Sequence, residues 1–160
     1  MKKQRQKGFT LPELLVALGI LTILFSIVTI TLLRSQRGAA QGTLVDTLLT
    51  DLRDQQTKAM SQDTGGSSAN NDYGVYLAGS SYTLFRGSVY NSGDSNNFTV
   101  GLAGGLVFSQ TTLPGSSIVF ESGSGEVVGF SPVANTFSVE DTTNGQVTQI
   151  TLNKYGVPLE

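Results

Sequence analysis

Residues 8–33 read GFTLPELLVALGILTILFSIVTITLL, and the rest of the chain is best read outward from them. From Leu14 to Leu33, twenty consecutive residues carry no charge. At ~1.5 Å per helical residue this run covers roughly 30 Å, the thickness of a bilayer's hydrocarbon core. A membrane-spanning helix is therefore expected over 9–33. Two features at its start exceed what a plain anchor needs. One is the Gly8-Phe9 junction that closes a basic octapeptide, and the other is the lone carboxylate of Glu13.

The composition limits what can follow. The chain has 160 residues, 19 of them glycine and only 14% charged, which leaves room for one membrane segment and one small, mostly β domain. Cys, His and Trp are absent, which removes disulfides, thiol chemistry, imidazole catalysis and the usual transition-metal ligands. No cofactor, metal site or enzymatic activity is expected. The formal charge of −2 hides a split, because Lys2, Lys3, Arg5 and Lys7 fall in the first eight residues. Beyond them six basic residues face twelve acidic ones, a balance of −6 that argues against a nucleic-acid surface. Basic residues flanking a membrane helix stay in the cytoplasm, so the N-terminus is expected inside and the body across the membrane. A secretory signal peptide would be cut after its apolar region; here the small residue, Gly8, precedes it.

The string Lys7-Gly8-Phe9-Thr10-Leu11-Pro12-Glu13-Leu14-Leu15-Val16 resembles the processing signature of type IV prepilins and the pseudopilins of type II secretion. The resemblance implies a leader peptide at 1–8, cleavage between Gly8 and Phe9 by a prepilin peptidase, and N-methylation of Phe9 by the same enzyme. It also implies partnership with other pilin or pseudopilin subunits and an inner-membrane assembly platform, with lipid around the helix before assembly. The subunit would then sit first in the bacterial inner membrane as a single-pass protein, and later in a periplasmic or extracellular filament. Pro12 departs from the aliphatic residue more usual in the family; proline suits a helix's first turn, where its missing N–H is not needed.

A carboxylate near the membrane interior costs a few kcal/mol or more when unpaired, so Glu13 is expected to find a cation or a proton. The family resemblance implies that this cation is the Phe9 amine of a neighbouring subunit, which makes Glu13 the assembly residue. The competing reading is a first-turn carboxylate favoured by the helix dipole and snorkelling to the interface. Gly19, Thr22, Ser26 and Thr29 recur at spacings of three, four and three, a stripe on which membrane helices can approach closely. The same hydroxyls can instead bond their own backbone carbonyls.

Gly38 and Gly42 weaken the helix by about 1 kcal/mol each, so a bend or partial melting is expected there, after Arg34 and Arg37 have left the hydrocarbon. An amphipathic helix is expected over 34–62. Its apolar stripe is Leu44, Val45, Leu48, Leu49, Leu52, Ala59 and Met60, and Asp54 and Lys58 form an i,i+4 pair on the polar side. Residues 63–72 lose periodicity and read as a linker. Its acidic and amide side chains could bind a cation, as could Asp94, Asn96 and Asn97, but no EF-hand-like calcium spacing is present.

From 73 to 160 short β-prone runs alternate with Gly, Ser and Asn. Strands are expected at 73–78, 82–90, 98–102, 106–110, 117–121 and 127–130. A turn at Gly79-Ser80 sets Leu77 opposite Tyr82 and Val75 opposite Leu84, and an Asn144-Gly145 turn sets Val139 opposite Ile150 and Phe137 opposite Leu152. The fold class is thus α+β and pilin-like: a long N-terminal helix, half membrane and half amphipathic, packed on a C-terminal antiparallel β-sheet domain. Within the family, Leu52-Arg53, Lys58-Ala59-Met60, Tyr73-Gly74-Val75-Tyr76, Ile118-Val119-Phe120 and Ile150-Thr151-Leu152 near Gly156 most resemble H-type minor pseudopilins.

Tyr76, Phe85, Tyr90, Phe108, Phe120 and Phe130 can be read as a stacking platform for sugars or bases, but aromatics on strands more often pack a core. For catalysis no nucleophile and base stand out, since without His only Lys58 or Lys154 remains as base. The expected function is a structural filament subunit. The alternative is a filament-tip module that binds a secreted substrate, a sugar or DNA.

Overall fold

The structure is a computed structural model that describes residues 10–66 and 71–159. Gly8 and Phe9, the leader before them and the middle of the 63–72 linker lie outside the described residues, as do the side chains of Arg34 and Arg37. The chain forms two compact units, divided between Ala39 and Ala40.

Helix α1 runs over Leu11–Met60. Its first hydrogen bond is donated by Leu14 N–H to the Thr10 carbonyl at 3.1 Å, so the N–H that Pro12 lacks has no helical acceptor to lose. Helical backbone continues through Gly38 and Gly42, so the melting expected there does not occur. The intrinsic penalty of two glycines is small against the run of good helix formers around them. At the far end Gln62 adopts a left-handed conformation at φ 53°, Gln62 N–H donates to the Ala59 carbonyl, and Asp63 N–H donates to the Lys58 carbonyl. This is a Schellman closure with glutamine in place of the usual glycine. Gly123 N–H adds a bond to the same Ala59 carbonyl and ties the helix end to the domain.

In the unit from Ala40 onward, Gln41, Leu48, Leu52, Gln55 and Ala59 are buried, at spacings of seven, four, three and four. That is one helix face. Leu48, Leu52 and Ala59 join a core with Val75, Tyr82, Ile118, Phe120, Phe137 and Val139, and Leu44, Val45 and Leu49 pack at its margin. Met60, expected in the stripe, is 54% exposed, because the helix ends there and the stripe closes at Ala59. Asp54 and Lys58 form the expected ion pair at 2.7 Å on the exposed side.

Among the described residues seven strands follow: β1 (Tyr73–Ala78), β2 (Ser81–Arg86), β3 (Phe98–Gly101), β4 (Leu106–Thr111), β5 (Ser117–Phe120), β6 (Thr136–Asp141) and β7 (Gln146–Thr151). They make two antiparallel sheets, ordered β3-β2-β1-β5 and β4-β6-β7. The split arises at Gly104 and Gly105, whose positive φ values of 43° and 88° turn the chain out of the first sheet before β4. The β1–β2 hairpin has the expected register, Leu77 opposite Tyr82 and Val75 opposite Leu84.

The last hairpin is offset by two residues from expectation. Phe137 faces Ile150 and Val139 faces Thr148, because the loop holds four residues rather than two. Asp141 organises it: its carbonyl accepts Gly145 N–H at 2.8 Å and its Oδ1 accepts Thr143 N–H at 2.9 Å. An even offset keeps every side chain on its expected face. Residues 127–130 form no strand. A single bridge pairs Val127 with Phe120, and Gly125 and Gly129, both at positive φ, bend the segment away. Strand β2 stops at Arg86 rather than 90, since Gly87 at φ 117° leaves extended geometry.

Candidate functional site

The N-terminal part of α1 is apolar on every side. Residues Leu11–Thr29 have a mean hydropathy of 2.3 over 19 residues, long and apolar enough to cross a membrane. Leu14, Leu18, Leu21 and Phe25 are all half to two-thirds exposed, with no apolar surface among the described residues of the unit to cover them. Glu13 lies in the first turn and is exposed. There the unbonded N–H groups present the positive end of the helix dipole, which favours a carboxylate.

Gly19 leaves an open position on the helix surface, where an added Cβ would meet nothing beyond the helix's own adjacent backbone. The hydroxyls of Thr22, Ser26 and Thr29 donate back to the carbonyls of Leu18, Thr22 and Phe25, each at 2.8 Å. The stripe therefore exists as small, exposed positions whose polar protons are already placed. Cross-helix contact along it would be made by close approach, with those donors engaged inside the helix.

In the unit from Ala40 onward a cleft of about 530 Å³ has walls that include Tyr76, Tyr90, Leu113, Val119, Val127 and Phe130. Tyr76 stacks on Tyr90 at 4.1 Å between centroids and 9° between planes, and Phe85 meets Tyr90 edge-on at 5.5 Å. The polar groups in its wall are largely used internally. Asn135 Nδ2 donates to the Leu152 carbonyl at 2.6 Å, Asn153 Oδ1 accepts from Tyr155 and Val157 N–H, and Ser117 Oγ donates to the Gly115 carbonyl. The other aromatics serve packing: Phe85 and Phe120 are core residues, and Phe108 meets Phe137 edge-on at 6.0 Å.

Sequence reasoning missed one polar contact in the core. Tyr82 is fully buried, and its hydroxyl donates to Asp51 Oδ2 on α1 at 2.5 Å. Burial, then the bond to Asp51, pushes its phenol above the ordinary tyrosine range. The signal available was Asp51 between the buried Leu48 and Leu52, which places it at the edge of the apolar stripe. The cleft had no such signal, because loops build it. In one of the two loop segments considered for a cation, Asp94 Oδ1 accepts the backbone N–H and the Nδ2 of Asn96; these bonds, backbone first, hold its pKa below the usual carboxylate value. Among the described residues no three acidic side chains gather as a metal site.

Residues 3–29 match the model of the prokaryotic N-terminal methylation motif. The chain is a type IV prepilin-like protein. No curated protein and no solved structure matches it. The motif marks a prepilin-like chain that is cleaved and methylated by a prepilin peptidase and assembles with other pilin subunits. The matched span contains Gly8, Phe9, Glu13 and the stripe from Gly19 to Thr29. The prepilin-like arrangement of an apolar helix followed by a helical segment on antiparallel sheets is the α+β fold expected from the sequence.

Proposed function

We propose that this prepilin-like chain is a non-enzymatic structural subunit of a type II secretion pseudopilus or a type IV pilus-like filament, most similar to the H-type minor pseudopilins. It is cut between Gly8 and Phe9, methylated at Phe9, and held in the inner membrane with its N-terminus in the cytoplasm. Assembly then carries it into a filament, where Glu13 pairs with the Phe9 amine of a neighbour and the stripe of Gly19, Thr22, Ser26 and Thr29 packs on adjacent helices. The observation that carries this reading is the match over 3–29 together with an apolar helix surface left exposed among the described residues.

Mass spectrometry of the mature N-terminus is the direct test. An N-methylated Phe9 is expected; an intact Met1, or a cut beyond Leu33, would reject the processing step. The cleft beside Tyr76 and Tyr90 favours a second reading, a tip module that engages a secreted partner. The acidic balance of the chain beyond its leader weighs against DNA in that role.

A further inference from the structure

The cleft beside Tyr76 and Tyr90 has no charged side chain in its wall. An ion entering it would lose water and gain no counter-charge, so a neutral occupant is required. Its volume of about 530 Å³ and its apolar wall, flattened in part by the stacked tyrosine pair, suit one compact organic group.

Asn135 adds an unanswered acceptor. The residue is 5% exposed and is held twice by Leu152: its carbonyl accepts Leu152 N–H at 2.9 Å, and its Nδ2 donates to the Leu152 carbonyl at 2.6 Å. The second bond fixes which end of the amide is left over. Among the described residues nothing donates to Asn135 Oδ1, and it is not one of the fully enclosed unpartnered atoms, which are Asn97 Oδ1 and Ser122 Oγ. It is therefore a fixed acceptor open to the cleft. In such a wall an oxygen of this kind costs free energy until a donor meets it.

The mouth is apolar as well. Val89, in the wall, is 77% exposed, Val128 and Phe130 are also exposed, and Val133, next to the wall residue Ala134, is 85% exposed. A free small molecule would fill the cleft and leave these side chains in water. A polypeptide that inserts one side chain covers them with its flanking residues.

We propose that the cleft is the docking site for a tryptophan side chain of a partner polypeptide, with the indole enclosed by the apolar wall and its N–H donated to Asn135 Oδ1. The inference gives a chemistry to the second reading above, in which the cleft engages a secreted partner, and it rests on that reading. Indole only donates, so it answers Asn135 and strands no acceptor among Val119, Val127 and Phe130. The chain contains no tryptophan, so a second copy cannot supply the group.

The probe is a capped pentapeptide with a central tryptophan, a valine on each side and glycine at both ends. It is titrated into the full-length chain in lipid nanodiscs while the protein's amide NMR signals are followed. Shifts centred on Val119, Val128 and Asn135 are expected, with an affinity about tenfold or more above that of N-acetyltryptophanamide, which lacks the flanking valines. Exchanging the indole for benzothiophene, which keeps the shape and replaces N–H by sulfur, should weaken binding about tenfold. Val133→Asp, at an exposed position, should reduce the peptide's affinity towards that of N-acetyltryptophanamide and leave the latter unchanged. Equal binding of the benzothiophene peptide, or of one centred on phenylalanine, would overturn the role of Asn135 and the choice of tryptophan while the cleft still docks a polypeptide. Equal affinity of peptide and N-acetyltryptophanamide would overturn the polypeptide in favour of a free aromatic molecule. Absence of shifts at the cleft at millimolar peptide would overturn the proposal and the second reading with it.

Discussion

The helix of residues 11–29 and the domain from Ala40 onward treat apolar side chains in opposite ways. In the domain Leu48, Val75, Ile118 and Val139 are fully buried by the chain's own strands, so their energy is realised on folding. In the helix, residues of the same type stay exposed, so their energy awaits lipid or another helix. A substitution in one region should therefore be read in assembly and in the other in stability, and the two kinds of defect should separate cleanly.

The largest expected effect is on the helix side. Glu13→Ala should be cleaved and methylated normally, with the domain's thermal unfolding unchanged, yet be missing from sheared filaments. Recovery of that variant in filaments at wild-type level would break the comparison. On the domain side the largest effect is expected for Gly74→Ala. Its Cβ would stand 2.6 Å from Phe85 Cζ and 2.8 Å from the Ile118 carbonyl oxygen, a backbone atom of the neighbouring strand. Denaturant unfolding should report a loss of roughly 2–3 kcal/mol, the range for overpacking a core, while membrane insertion is unaffected.

Tyr82→Phe sharpens the contrast more finely, by removing the bond to Asp51 without changing shape. A cost of about 1–2 kcal/mol is expected. The folded chain holds this phenolic proton more tightly than an unfolded chain does, so the contribution is complete below about pH 10 and is lost as pH rises beyond it. Melting of the wild type should therefore fall faster above that pH than melting of the variant; parallel curves would remove the bond's stabilising role. The smallest effect is expected for Lys154→Met. The bond from Lys154 Nζ to Glu126 at 2.7 Å raises the lysine's pKa, but both partners are solvated, and the melting temperature should not move measurably.

How much was legible in the sequence follows the same divide. The uncharged run is local, so the apolar part of the helix was legible in the sequence, whereas its unbroken passage through Gly38 and Gly42 was not. The β1–β2 register was legible because its two-residue turn leaves one pairing that keeps Val75, Leu77 and Tyr82 on one face. The β6–β7 register was not, because Asn144-Gly145 serves equally as a two-residue turn or as the end of a four-residue loop. What decides is the bonding of Asp141, two positions before the expected turn. The division into two sheets rests on left-handed glycines at 104 and 105, whose conformation composition does not reveal. The cleft is built from loops that carry no periodicity at all.

The inward bonding of Thr22, Ser26 and Thr29 has one more consequence. A hydroxyl that carries its own acceptor along the helix needs no partner from its surroundings, so the segment presents nearly the same chemistry to acyl chains as to protein. Transfer of this segment from lipid to a protein surface would break no hydrogen bond at these three positions.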